Sequence, residues 1–260
     1  MIKSYSNGID FLNENKDYLD TNPYIAVFFY IDSKVLHKID KDNYAIKVEE
    51  GNDKLLAIKV SPYNLILFGN SSLTEGLFKY LDSNNLNSDG IICEESIGLK
   101  LIENHNYTLQ IGMDFMESKD ITLANSDLVL TASLSDADQI YQLSYDFFRD
   151  CGLPDIPDKE KIKENIERYK VIKDNGKIVS MAAFNNDTDK SYRVTHVYTI
   201  PSKRGLGYAK KIVNVIKNEI INRGFIATLN VDKKNPISYH IYESLGFKKV
   251  FTQGIYKKNS

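Results

Sequence analysis

The sequence predicts an α/β protein in which a mixed sheet is flanked by helices. Segments with the alternation of a strand and segments with the periodicity of an amphipathic helix follow one another along the chain. A length of 260 residues suits about two domains at roughly 150 residues each, and a hydrophobic content of 42% provides for a buried core. We therefore expect two domains, residues 1–125 and 126–260, with a soft boundary near 120–126.

The first half contains one α/β unit. Residues 55–60 and 64–69 alternate in hydrophobicity on either side of a turn at 61–63, which predicts two strands. A helix follows with Ser71 or Ser72 as its N-cap. Its apolar stripe consists of Leu73, Leu77, Phe78 and Leu81. The pattern then predicts a strand at 90–95, a helix at 97–104 and a strand at 107–115.

The second half repeats this alternation. A strand near 128–132 precedes a helix that begins at 135–138 and runs to about 150. The dipeptide Asn175-Gly176 predicts a two-residue type I′ hairpin turn between two strands. The remaining elements are a strand at 192–200, a helix at 207–223, a strand at 225–231, a helix at 236–245 and a last strand from Phe247.

Composition excludes several classes of protein. A net charge of −2 gives no general reason to expect nucleic acid or an anionic membrane as a partner. Cys93 and Cys151 form neither a C-x-x-C pair nor a Cys/His cluster, so we expect no disulfide scaffold and no metal site. The chain has no signal-peptide pattern and no run of about 18 apolar residues. We therefore expect a soluble cytoplasmic protein.

The hexapeptide RGLGYA, residues 204–209, stands between a predicted strand and a long predicted helix. Amides at such a helix N-terminus have no intrahelical partner and bind anions. Side chains at positions 205 and 207 would obstruct a phosphate approaching the backbone, so Gly205 and Gly207 leave room for one. The spacing fits neither a Walker A loop nor a dinucleotide G-x-G-x-x-G. A tight turn without a ligand remains the alternative.

The second half contains two linked motifs. The first is Arg204, Gly207 and Ala209, in the pattern Arg/Gln-x-x-Gly-x-Gly/Ala at a helix start. The second is a helix that begins at Asn235 and ends with Tyr242, Gly246 and Phe247. Together the two motifs resemble those of the GNAT superfamily of N-acetyltransferases. The resemblance covers residues 127–256 and implies a fold of tandem GNAT-like domains, in which the second binds acetyl-CoA.

The resemblance also implies which residues contact the cofactor. The pyrophosphate of coenzyme A would lie on the loop 204–209, which consists of Arg204, Gly205, Leu206, Gly207, Tyr208 and Ala209. The pantetheine amides would pair with the backbone of Val197, Tyr198 and Thr199. Asn235 fits two compatible roles, an N-cap before Pro236 and a side-chain contact to the pantetheine arm.

The resemblance suggests two catalytic residues. Tyr242 would act as the general acid that protonates the coenzyme A thiolate, and its alternative is a core residue whose hydroxyl has a backbone partner. The strand at 192–200 lacks the Glu that family members often carry, so His196 is the candidate base. His196 could equally face the other side of the sheet, with water relaying the proton.

Residues 1–120 contain no match to the first motif. We interpret this half as a degenerate GNAT-like domain that packs against the second. The whole sequence then predicts an enzyme that moves an acetyl group from acetyl-CoA directly to an amine of a small molecule or peptide. The rival hypothesis is an acyl-CoA-binding sensor whose chemistry has lapsed, and a plain nucleotide-binding protein is disfavoured.

Overall fold

A computed structural model describes residues 1–123, 127–152, 156–186, 188 and 190–259. Strands and helices alternate, and the predicted α/β fold with a mixed sheet is confirmed. Residues 124–126 of the predicted domain boundary lie outside the described part of the chain. The strands are β1 Ile2–Ser4, β2 Tyr44–Glu50, β3 Asp53–Lys59, β4 Leu65–Gly69, β5 Gly90–Glu94, β6 Tyr107–Ser118, β7 Leu130–Thr131, β8 Tyr169–Asp174, β9 Lys177–Asn186, β10 Ser191–Thr199, β11 Ile226–Asp232 and β12 Lys248–Lys258. The helices are α1 Gly8–Leu19, α2 Pro23–Val35, α3 Thr74–Ser83, α4 Glu95–Asn104, α5 Ala137–Asp150, α6 Lys159–Glu164, α7 Tyr208–Asn222 and α8 Pro236–Ser244.

The chain divides into two compact units. The first comprises Met1–Phe115, Asp232–Lys234 and Phe251–Ser260, and the second comprises Met116–Val231 and Asn235–Val250. These ranges differ from 1–125 and 126–260 chiefly because most of β12 belongs to the first unit. The description of residues 1–125 as a degenerate domain stays a prediction.

The first unit has the strand order β1-β2-β3-β4-β5-β12-β6. Strands β2, β3 and β4 form an antiparallel meander, whereas β4 and β5 are parallel. One face of the sheet packs against α3 and α4, and the other packs against α1 and α2. Asn70 caps the segment before α3 in place of Ser71 or Ser72, since its side chain accepts a hydrogen bond from the Ser72 amide at 2.8 Å.

The second unit has the strand order β11-β10-β9-β8-β7. Asn175 and Gly176 join β8 to β9 with φ of 48° and 78°, so the predicted type I′ hairpin turn is confirmed. Helix α7 begins and ends within one residue of the prediction. It is held by a fully buried stripe of Ile212, Val213, Ile216 and Ile220, which pack on β11 and β9. Helix α5 packs on the opposite face.

Candidate functional site

The loop before α7 has the conformation that its two glycines allow. Gly205 and Gly207 have φ of 80° and 74°, in the left-handed region where side chains other than glycine are strained. A Cβ atom added at either position would meet nothing within 4 Å, so the space above the backbone is open. Gly207 is the N-cap residue of α7, and no side chain caps this helix. The uncapped first turn is therefore suited to bind an anion.

Arg204 connects this loop by hydrogen bonds to the end of β10 and to the end of α5. Its Nε donates to the Thr199 carbonyl at 3.0 Å, and its Nη2 donates to Asp150 Oδ2 at 2.8 Å. The guanidinium also lies 5.6 Å from the centre of the Tyr198 ring. The hydrogen bond from Arg204 lowers the pKa of the Asp150 carboxyl. Arg204 thus contacts the protein itself in this structure, and Lys203 does so too, through Asp174 at 2.6 Å.

Strands β10 and β11 separate before they reach the loop. Their parallel pairing covers three residue pairs and ends at Arg193 and Thr228. Strand β10 continues to Thr199 while it stays paired with β9. Val197, Tyr198 and Thr199 therefore lie on the side of an opening between two parallel strands. Such an opening at the carboxyl ends of parallel strands is a common ligand site in α/β sheets.

A β-bulge places His196 against aromatic side chains. The register of β10 with β9 shifts between Thr195 and Tyr198, and His196 has φ of 51°. Its ring centroid lies 5.4 Å from those of Phe147 and Phe148 on α5 and 6.1 Å from that of Tyr169. Burial lowers the pKa of His196 to about 4, so the imidazole is neutral at pH 7. Its buried Nδ1 has no hydrogen-bond partner among the described residues.

The sequence alone did not determine which face of the sheet His196 occupies. The ring lies on the α5 side of the sheet, whereas Val194 of the same strand packs with α7. Strict alternation would put positions 194 and 196 on one face. The bulge breaks that alternation, and it also brings Tyr198 into the cluster on the α5 side.

Helix α8 carries Asn235 and Tyr242. The Asn235 side chain accepts a hydrogen bond from the Ser238 amide at 3.0 Å and caps the helix, as its N-cap interpretation predicts. Tyr242 is 7% exposed and packs with Phe247, at 6.1 Å between ring centroids. Burial raises the pKa of the Tyr242 hydroxyl to about 12, against a smaller lowering by a hydrogen bond with Ser238. Tyr242 therefore holds its proton at neutral pH.

Sequence reasoning missed three residues that shape the site. Asp150 is the carboxylate that holds Arg204, and Asn230 on β11 has a buried Oδ1 without a partner among the described residues. Lys217 of α7 is fully buried, and its ammonium donates to the carbonyls of Asp120 and Leu245, each at 2.8 Å. The sequence did contain a signal for Lys217, because a lysine stands directly after Ile216 in the apolar stripe of α7. Asp150 and Asn230 gave none.

Comparison with known proteins agrees with this geometry. Residues 136–247 match the family model of the acetyltransferase (GNAT) family. An acetyltransferase of the GNAT family from Colwellia psychrerythraea has a similar fold, with a TM-score of 0.66 and 11% identity over all of both chains. A GCN5-related N-acetyltransferase from Sphaerobacter thermophilus gives a TM-score of 0.65 and 14% identity over 99% of this chain and 95% of that chain. No curated protein matches the chain.

The fold of the chain is therefore similar to the folds of these two proteins over nearly its whole length. Its residues 136–247 are a domain of the GNAT family, as the two motifs predict. The loop 204–209, His196, Asn235 and Tyr242 all lie within this range. None of the helices in the described part of the chain has the length and apolar character that crossing a membrane requires.

Proposed function

We propose that the protein is an acetyl-CoA-dependent N-acetyltransferase that moves an acetyl group directly to an amine of a small molecule or peptide. The observation that carries this proposal is the opening between β10 and β11, which leads to an uncapped helix N-terminus with two left-handed glycines. Neither Cys93 nor Cys151 forms a disulfide, which agrees with action in the cytoplasm.

The residues present fit coenzyme A. The pyrophosphate would contact the backbone of the loop 204–209, because the space over Gly205 and Gly207 is open. The backbone of Val197, Tyr198 and Thr199 would bind the pantetheine arm, and Asn235 would add a contact at the start of α8. Arg204 would act by fixing the loop through Asp150 and Thr199. When bound, acetyl-CoA supplies an acetyl group activated as a thioester.

Two side chains of this chain would move protons. Tyr242 keeps its hydroxyl proton at neutral pH and would donate it to the departing thiolate. His196 is neutral at the same pH and would accept a proton from the amine as it is acetylated. Tyr242 is buried and His196 is half-buried, so bulk water has little access to either proton transfer.

The cofactor site is tested by calorimetry of coenzyme A with wild type, Gly207→Glu and Gly176→Glu. Each substitution puts Glu at an exposed left-handed glycine with open space around it, but Gly176 lies in the β8–β9 hairpin turn. We expect the dissociation constant to rise at least about ten-fold in Gly207→Glu, since the carboxylate obstructs and repels the phosphates. Gly176→Glu should bind as wild type does. Equal affinity in all three proteins would refute the assignment.

A second candidate function is an acyl-CoA sensor without catalysis. The observation that favours it is the weak basicity of His196, whose pKa is about 4, on a strand without a carboxylate. Thiol release from acetyl-CoA, measured against a panel of amines at several pH values, separates the two functions. Release above the rate without amine supports the enzyme. Tight cofactor binding without release across the panel supports the sensor.

A further inference from the structure

The first unit contains a second pair of parallel strands that separate. The pairing of β4 with β5 covers Leu65 with Ile91 and Ile66 with Ile92, and the following residues up to Gly69 and Glu94 continue beyond it. We call the residues around these two strand ends the first-unit opening. Its position relative to the strands corresponds to that of the opening between β10 and β11, but its chemistry is different.

The first-unit opening is unsuited to an anion. At the turn that leads into α3, the side chain of Asn70 accepts a hydrogen bond from the Ser72 amide. The start of α7 has no such side-chain cap. Strand β5 ends with the carboxylate of Glu94, which would repel a phosphate. A ligand of this opening would therefore differ from the pyrophosphate expected in the second unit.

Glu94 has capacity to accept further hydrogen bonds. The Asn22 side chain donates to its Oε1 at 3.0 Å, and no lysine, arginine or histidine of the described residues forms an ion pair with it. Burial raises the pKa of the Glu94 carboxyl, which agrees with a charge that its surroundings do not balance. The side chain is partly exposed, so a ligand can reach it.

A second acceptor lies beside Glu94. Gln253 on β12 is the register partner of Glu94 on β5, so the two side chains share one face of the sheet. Gln253 is 1% exposed, and its Oε1 has no hydrogen-bond partner among the described residues. A buried acceptor without a donor is costly, and a ligand that donated a hydrogen bond to it would remove that cost.

Aromatic rings border these acceptors. Tyr24 follows Asn22 in the first turn of α2, and its ring lies 5.8 Å from Phe251 and 6.3 Å from Phe115. Phe115 and Phe251 stack at 4.3 Å. Tyr24 and Phe251 are partly exposed, so they present ring surface to a ligand. Ring faces attract cations and also pack against hydrocarbon.

We propose that the first-unit opening binds a primary ammonium group carried on an apolar stem. A primary ammonium has three donors and no acceptor, which matches the oxygens of Glu94 and Gln253. The stem would pack on the partly exposed rings of Tyr24 and Phe251. A quaternary ammonium would leave Gln253 without a donor, so it fits less well. This proposal concerns the first unit alone and stands or falls separately from the cofactor site.

The test is calorimetry of the full chain with hexylammonium chloride, without any cofactor, beside 1-hexanol as the uncharged probe with the same stem. Wild type should bind hexylammonium saturably and more tightly than hexanol. Glu94→Gln keeps the oxygen that Asn22 contacts but removes the charge, and its dissociation constant should rise about ten-fold or more. Gln253→Leu should also weaken binding. Glu50→Gln, at an exposed carboxylate of the same unit, should bind as wild type does.

Three results would overturn the proposal. They are the absence of saturable hexylammonium binding by wild type, equal affinity for hexylammonium and hexanol, and wild-type affinity in Glu94→Gln. Thermal unfolding of each variant checks that it is folded. Since Glu94→Gln preserves shape and the hydrogen bond from Asn22, it provides the test even if Gln253→Leu fails to fold.

Discussion

Tyr242 and His196 are both uncharged at neutral pH, and burial moves the pKa of each further from 7. Burial raises the pKa of the tyrosine to about 12 and lowers that of the histidine to about 4. One group therefore holds a proton to donate, and the other is free to accept one. Each group is thus in the protonation state that its proposed role requires, although the shifts make the tyrosine a weaker acid and the histidine a weaker base.

Tyr242→Phe tests the proposed acid. The change removes one oxygen and keeps the ring that packs with Phe247, so affinity for coenzyme A should hardly change. The turnover number should fall by ~10²-fold or more, because the thiolate would leave without a proton donor. Thiol release measures the rate, and calorimetry measures the affinity. The matched control is Tyr239→Phe, one turn earlier on α8, and turnover by Tyr242→Phe at the control's rate would remove Tyr242 from the mechanism.

His196 gives folding stability a defined dependence on pH. Its pKa is about 4 in the folded chain against an ordinary 6.5, so the unfolded chain binds more protons between these values. The stabilisation is therefore present above pH 6.5 and is lost as the pH falls, by about 2 kcal/mol between pH 7 and pH 5. Denaturant unfolding of wild type and His196→Asn at both pH values measures it, since Asn tolerates a positive φ.

The comparison of the two proteins isolates His196 from other groups. Burial raises the pKa of Asp32 to about 6, which has the opposite effect on stability, but Asp32 is present in both proteins. The free energy of unfolding should fall further for wild type than for His196→Asn between pH 7 and pH 5. Equal pH dependence in the two would show that the imidazole is not kept neutral by burial.

Helix α7 begins at the glycine loop of the candidate cofactor site, and it also contacts the end of α8, the helix that carries Tyr242. Its first turn faces the open loop at Gly207, and Lys217 near its centre donates to the carbonyl of Leu245, just after α8. The same ammonium contacts Asp120 and Thr122. A single buried charge thus joins the helix of the glycine loop to the helix that carries Tyr242.

Lys217→Met tests this anchor. The apolar side chain fills the space but leaves several buried oxygens without a donor, so the free energy of unfolding should fall by about 3 kcal/mol. Denaturant unfolding measures the loss. Lys210→Met, on the exposed face of the same helix, should stay within about 0.5 kcal/mol of wild type. A loss no larger in Lys217→Met than in this control would contradict the anchoring role.

Local patterns predicted the elements around the site. The hairpin at Asn175-Gly176, the limits of α7 and the N-cap at Asn235 follow from a few neighbouring residues, and the structure has each of them. The bulge at His196 depends instead on how β10 pairs with β9, and the bond of Arg204 to Asp150 joins residues 54 positions apart. Sequence periodicity carries no information on such distant contacts.

At the scale of the whole molecule, the two units differ in whether the backbone amides that precede or begin a helix are free to bind an anion. The start of α7 is uncapped, whereas Asn70 occupies an amide at the turn before α3. We therefore predict one coenzyme A per chain, bound by the second unit. Calorimetric stoichiometry checks this number, and a value of two would contradict the description of residues 1–125 as degenerate.

Strand β12 lies between β5 and β6 in the sheet of the first unit, although it is made of residues near the end of the chain. During synthesis, residues 1–115 therefore leave the ribosome before the inner strand of their sheet has been made. The edges of β5 and β6 that will pair with β12 stay unpaired while more than a hundred further residues are added. Most domains fold as soon as their own segment has emerged. In this chain the first unit to be made is the last to be completed, and the stretch that completes it is the one that follows the GNAT domain.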